Sequence, residues 1–170
     1  MDSEGSDTRK VTWCPSGSPH APESVVLGVH TEPGRLSYLA APLPSGDALG
    51  LIPDDISPTR VLRFASHCVA ECRNRSGNDC TLVERVASLP ADAESLGLPR
   101  CHLRPHCQWW QQSGPTACRR CPQVVTTVLA DDELGNLVSD PQATPEQVAR
   151  AAGVTVGGSA STGEAPQHGA

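Results

Sequence analysis

The sequence predicts an α+β protein, an N-terminal β-hairpin followed by a small helical module rich in cysteine. Three observations lead there. Two short apolar runs flank Pro33-Gly34, Ser57-Pro58 opens a helical pattern, and seven of the eight cysteines fall between Cys68 and Cys121. The organisation expected is an extended or disordered segment over 1–23, a hairpin subdomain over 24–56 and a cysteine-rich module over 57–126. An extension with a short helix follows over 127–153, then a disordered tail over 154–170.

Residues 1–10 are acidic and polar, and Trp13-Cys14-Pro15 follows within a Pro/Ser/Gly-rich approach. Val25 to Val29 reads as a strand, Glu32-Pro33-Gly34 as a turn and Leu36 to Leu39 as the returning strand. Proline then glycine suits the two central positions of a type II turn. Residues 42–57 read as a connection punctuated by proline, with a short apolar piece from Leu49 to Ile52. Ser57 as N-cap and Pro58 at the first helical position predict a helix carrying Val61, Leu62, Phe64 and Ala65. Continued to Cys68 and Cys72, it would set those two thiols on one face.

Ser76-Gly77-Asn78-Asp79 predicts a turn delivering Cys80. Thr81-Leu82-Val83-Glu84 has the spacing of a capping box, opening a helix with Leu82, Val83 and Val86 on its apolar side. A linker over 89–99 leads to Cys101. Pro105 starts a helix bearing Cys107, Trp109 and Trp110, with Gly114 as its stop. Cys118 and Cys121 lie in a turn or short helix closed by Pro122, and Val124 to Leu129 fits strand or helix equally. Thr144-Pro145-Glu146-Gln147 opens a last helix that ends near Ala152, with Gly153 beyond it. The runs Asp54-Asp55 and Asp131-Asp132-Glu133 read as solvated loops.

The thiols are spaced C-x3-C-x7-C, then C-x5-C-x10-C-x2-C-P. Packing gives no reason for such a concentration, so metal ligation, disulfides or thiol chemistry must account for it. The N-terminus lacks an apolar stretch and no run reaches the roughly 18 apolar residues of a membrane span, so the expected location is the cytoplasm, without membrane association. Thiols stay reduced there, which disfavours disulfides. Aromatic residues are 3% of the chain, while Gly and Pro number 15 and 16. So thin a core gains from cross-linking by metal.

Cys101, Cys107, Cys118 and Cys121 supply four thiols within a short span, the last followed by proline, as in cluster-binding segments. Cys68, Cys72 and Cys80 need a fourth ligand, for which Cys14 is the natural candidate and His67 a lesser one. Eight thiols would then hold two iron–sulfur clusters of the 4Fe–4S type, or a single one built from both groups with the surplus cysteines free, for electron transfer, redox sensing or cluster handling. Zinc, stabilising an interaction or regulatory module, is the rival, through Cys68/Cys72 with Cys118/Cys121 or with His102 and His106 as added donors. A thiol oxidoreductase using Cys118 and Cys121 is the third reading.

The net charge of −6 hides a partition: 58–122 holds nine arginines against five acids, and the remainder is strongly acidic. Arginines among thiolates offset their charge. Arg119 and Arg120 would dock an acidic redox or regulatory protein partner, whereas acidic flanks and few aromatics argue against nucleic acid. Of Trp109 and Trp110, one indole is expected in the core, with the possible further role of covering a metal centre. No phosphate loop, H-E-x-x-H or G-x-S-x-G occurs, so no catalytic residue is assigned.

Cys68-x3-Cys72, Asp79-Cys80-Thr81-Leu82, Cys107-x2-Trp110 and Cys118-Arg119-Arg120-Cys121-Pro122 together resemble small cysteine-rich bacterial proteins, mostly uncharacterised. Some of these are loosely labelled as related to nitrogen fixation or iron–sulfur metabolism. The resemblance implies metal binding and no particular activity.

Overall fold

A computed structural model describes residues 11–91 and 97–155. The disorder expected over 1–10 and over nearly all of the tail lies outside these residues. The chain is α+β, as its sequence predicts.

One four-stranded antiparallel sheet organises the N-terminal half, in the order β1-β4-β2-β3. Its members are β1 (Trp13–Cys14), β2 (Val25–Glu32), β3 (Arg35–Pro44) and β4 (Leu62–His67). The β2–β3 hairpin closes with Glu32 opposite Arg35. Gly34 has φ +75°, as the second central position of a type II turn requires, and the proline ring holds Pro33 at negative φ. The returning strand runs further than its apolar residues suggest, through Pro42 to Pro44. Proline is tolerated there because β3 is an edge.

The helix expected from Pro58 through Cys68 is the main correction. The Ser57-Pro58 start is real, but it yields only one turn, the second of two short helices, α1 (Ser45–Leu49) and α2 (Pro58–Val61). From Leu62 the chain is extended and enters the sheet centre, with Val26 opposite Phe64 and Cys14 opposite Ser66. Tertiary burial outweighs the local start signal. Phe64 packs with Val26 and Ala48 on one face of the sheet, while Ala65 and Leu27 join the main core on the other. A strand covered on both faces reads as a continuous apolar run rather than an alternation. The hairpin therefore shares its sheet with residues from 57–126 and does not stand as a subdomain of its own. Cys68 and Cys72 consequently share no helix.

A small ladder follows, β5 (Arg75–Ser76) and β6 (Asp79–Cys80), turning at Gly77 with φ +61°. Next come α3 (Thr81–Ala87), α4 (Gln108–Ser113), α5 (Pro115–Arg120), α6 (Glu133–Ser139) and α7 (Pro145–Ala151). Val83 and Val86 on α3 are fully buried, and this helix packs against α4, α5, α6 and α7. The capping box expected at Thr81 does not form. Cys80 occupies the N-cap, and the Thr81 hydroxyl donates to the Asn74 carbonyl instead. The box at Thr144 is complete, with Gln147 answering the cap backbone. Asp132, expected in a solvated loop, caps α6 by accepting from the Gly135 amide. Val124 to Leu129 forms neither strand nor helix. Among the described residues no helix is long and apolar enough to cross a membrane.

Candidate metal centres

All eight cysteines are free thiols, and they sort by position into two quartets. Cys14, Cys68, Cys72 and Cys80 line one cavity of about 250 Å³. Cys101, Cys107, Cys118 and Cys121 line a separate void of about 20 Å³. Trp109 forms part of the wall of both. Cys68/Cys72 and Cys118/Cys121, the pairing considered for a single zinc site, lie on different cavities.

Each thiol of the first quartet comes from a different piece of chain. Cys14 sits on β1 in register with Ser66, and Gly17 follows so close to β4 that an added Cβ would clash with the Ser66 backbone and hydroxyl. Cys68 leaves β4 with its amide donating to the Thr12 carbonyl at 2.8 Å. Cys72 lies in an exposed stretch held by a turn bond from its amide to the Val69 carbonyl. Cys80 ends β6, where the Gln112 side chain accepts from its amide at 2.8 Å and donates to its carbonyl at 3.0 Å. Gln112 thus acts as a substitute strand reaching over from α4.

The second quartet is built more locally. Cys107 occupies the N-cap of α4, and Gly114, with φ +57°, breaks the chain between α4 and α5. Cys118 and Cys121 are three residues apart across the end of α5 and therefore share a side. Arg104 stacks over Trp110, 5.1 Å from the ring centre.

Burial is the first cause raising the thiol pKa of Cys14, Cys68, Cys80, Cys101, Cys107 and Cys118, and Cys107 reaches about 12. A further cause is the other thiols of the same quartet; none is a thiol of the other quartet. Opposing this, backbone amides favour each sulfur's ionised form: Leu82 and Val83 at Cys80, Trp109 and Trp110 at Cys107, Ser16 at Cys14 and Leu103 at Cys101. At the two helix starts these approaches fall short of full capping hydrogen bonds. The Arg104 side chain does the same at Cys118. Several thiolates ionise together in such surroundings only against a multivalent cation.

Three residues complete the site that sequence reasoning did not single out, or saw only in part. Arg63 on β4 is fully buried and, among the described residues, no carboxylate pairs with it. Its Nε donates to the Pro15 carbonyl at 2.5 Å, and Nη1 to the carbonyls of Cys121 and Val124 at 3.0 and 2.6 Å. Nη2 lies 3.5 Å from the Cys121 Sγ. Three carbonyls and one sulfur thus stand in for a carboxylate around this buried guanidinium. The Tyr38 hydroxyl lies against Cys121, and its pKa is pushed up by burial first and then by that sulfur's charge. Trp109 is 1% exposed. Its Nε1 makes no hydrogen bond of normal geometry, yet it stands close enough to Cys80 to favour the thiolate. No signal in the chain marks Arg63 or Tyr38, because each reaches the thiols only through the sheet.

The remaining candidates stand apart. His67 borders the first cavity, but its ring stacks edge-on with Trp13 and its Nδ1 faces Glu23 at 3.8 Å. His102 and His106 line neither cavity. Arg120 bonds the carbonyls of Leu89 and Thr116, whereas Arg119 is exposed. The raised pKa of Cys118 works against an attacking thiolate of the oxidoreductase kind.

Among the described residues, no three His, Cys, Asp or Glu side chains converge on a point as a lone ion requires. Tetrahedral zinc draws its sulfurs to about 2.3 Å from the metal. Here the first four thiols line a shared cavity instead. An all-sulfur donor set, a buried indole N–H without an acceptor and amides turned toward sulfur are features that suit a sulfide-containing cluster. Compared with known proteins, the chain matches no family model, no curated protein and no solved structure.

Proposed function

We propose that the chain is a metal-binding protein that holds two iron–sulfur clusters, one per cysteine quartet, for electron transfer or cluster handling. The observation that carries this reading is the sorting of eight thiols into two sets of four, each around its own cavity, with none left over. Cys14, Cys68, Cys72 and Cys80 would hold one centre, and Cys101, Cys107, Cys118 and Cys121 the other. A bound 4Fe–4S cluster supplies one-electron chemistry, or a store of iron and sulfide.

The protein's own residues account for the rest. Arg63 and Arg104 offset thiolate charge at the second quartet. The Trp109 N–H and the first amides of α3 and α4 offer donors to sulfur, which raise the potential of a thiolate centre. No acid/base pair is needed, consistent with a carrier rather than a catalyst. A reducing cytoplasm suits free thiols, and the exposed Arg119 offers a contact for an acidic partner.

Zinc is favoured by one observation alone, the narrowness of the second void. About 20 Å³ has room for little more than a water-sized occupant, so a cluster at the second quartet requires its thiols to spread on loading.

Anaerobic reconstitution followed by iron, sulfide and zinc analysis tests the proposal. We expect a brown protein with about eight iron and eight sulfide per chain, and Cys80→Ser and Cys107→Ser each removing about half. A colourless protein with zinc at either quartet and no acid-labile sulfide would refute it.

A further inference from the structure

We propose that the two quartets have different tasks: the second holds its centre permanently, and the first is the exchange site, opened by release of Cys72 to an incoming thiol. This rests on the metal-binding reading above and adds a division of labour to it.

The two sites differ in access. In the second, Cys107 and Cys121 are buried, Cys101 and Cys118 are half-buried, and the void, lined also by Tyr38, Trp109 and Ala117, is about 20 Å³. Arg63 clamps Cys121 by both its carbonyl and its sulfur. In the first, the cavity is about 250 Å³, and every residue from 69 to 73 is exposed, Cys72 among them.

The thiols of the first quartet are also held unequally. Cys14 is fixed by strand pairing, Cys68 by its bond to Thr12, and Cys80 by Gln112 together with the start of α3. Among the described residues, the backbone of Cys72 makes only turn hydrogen bonds within its own loop, its amide to Val69 at 3.3 Å and its carbonyl to Arg75 at 2.9 Å. A ligand on such a loop can swing away while the other three keep their places. Local opening of this kind draws on exposed segments with few buried contacts.

The exchange step balances without an oxidant. The incoming thiol loses its proton as its sulfur bonds the metal. The Cys72 sulfur–metal bond breaks, and the released thiolate takes up a proton. No electron changes hands. The partner is therefore a thiol-bearing acceptor, which meets this face of the molecule rather than the more buried one.

The test uses the full chain, loaded anaerobically with iron and sulfide. A ferrous chelator is added with and without glutathione, and alkylation by iodoacetamide is mapped by mass spectrometry. We expect half the iron to leave at least tenfold faster than the rest and glutathione to speed only that phase. Cys72 should be the first cysteine alkylated. Cys72→Ser, on an exposed loop, should accelerate the fast phase and leave the slow one unchanged. Iron uptake followed by release in a single phase, or alkylation of Cys118 before Cys72, overturns this division while leaving the proposed function intact. Failure to take up iron and sulfide at all removes the proposed function, and this inference with it.

Discussion

Replacing Arg63 tests whether the sheet and the second quartet are held by one buried cation. In Arg63→Met the side chain keeps its apolar length and loses its fork. The carbonyls of Pro15 and Val124 then lose the donor they have among the described residues, while that of Cys121 keeps only the Val124 amide at 3.2 Å. Each unpaired buried acceptor costs about 1–3 kcal/mol. Removing the cation also relieves its own desolvation, several kcal/mol in an unpaired setting. The net expectation is a loss of about 2–4 kcal/mol in the metal-free protein, read by urea unfolding under reductant and chelator. Metal loading should make the substitution costlier still, because the variant also lacks positive charge 3.5 Å from the Cys121 sulfur. Arg63→Lys should recover part of the charge effect and little of the three-way hydrogen bonding, since ammonium lacks the planar fork. If Arg63→Met costs less than about 1 kcal/mol in both forms, the clamp is not what joins β4 to the cysteine module.

Other expectations follow from separate features. Gly17→Ala sets a methyl against the Ser66 backbone, so the segment bearing Cys14 must shift; metal analysis should show the first centre weakened and the second retained. The buried thiols make the metal-free protein sensitive to alkali. Above about pH 8.5 the unfolded chain sheds thiol protons that the folded one keeps, Cys107 up to about 12. Stability should therefore fall as pH rises through this window, and an equal or higher urea midpoint at pH 10 than at pH 7.5 would contradict the burial of these sulfurs. Thr144→Ala removes the capping box of α7 and should cost about 1 kcal/mol by thermal or urea unfolding, with no change in bound metal.

Where structure is set by neighbours in the chain, the sequence was readable. Pro33-Gly34, Gly114, Gly153 and the Thr144 box all behave as their local chemistry predicts. The Asp132 cap leaves a fainter trace, an acid ahead of Leu134, Leu137 and Val138 at helical spacing, which the acidic run Asp131-Asp132-Glu133 masks as a solvated loop. Leu62 to His67 could not be read this way. Its strand state depends on Val25, Val26 and Trp13, tens of residues away, and the helix signal before it is real for one turn. The grouping of Cys14 with Cys68, Cys72 and Cys80 was suggested by thiol counting alone. Arg63 and Tyr38 were hidden because an arginine or tyrosine in a strand carries no mark of what lies across the sheet.

The origin of Cys14 has a consequence during synthesis. It emerges from the ribosome early, while Cys80, the last thiol of the same cavity, follows roughly 66 residues later. At roughly 5–20 residues per second, that interval is on the order of 3–13 s. Throughout it a nascent thiol waits without its full set of companions, open to oxidants and to stray ions in the cell. On the proposed reading, iron would have to reach the finished polypeptide rather than the growing one.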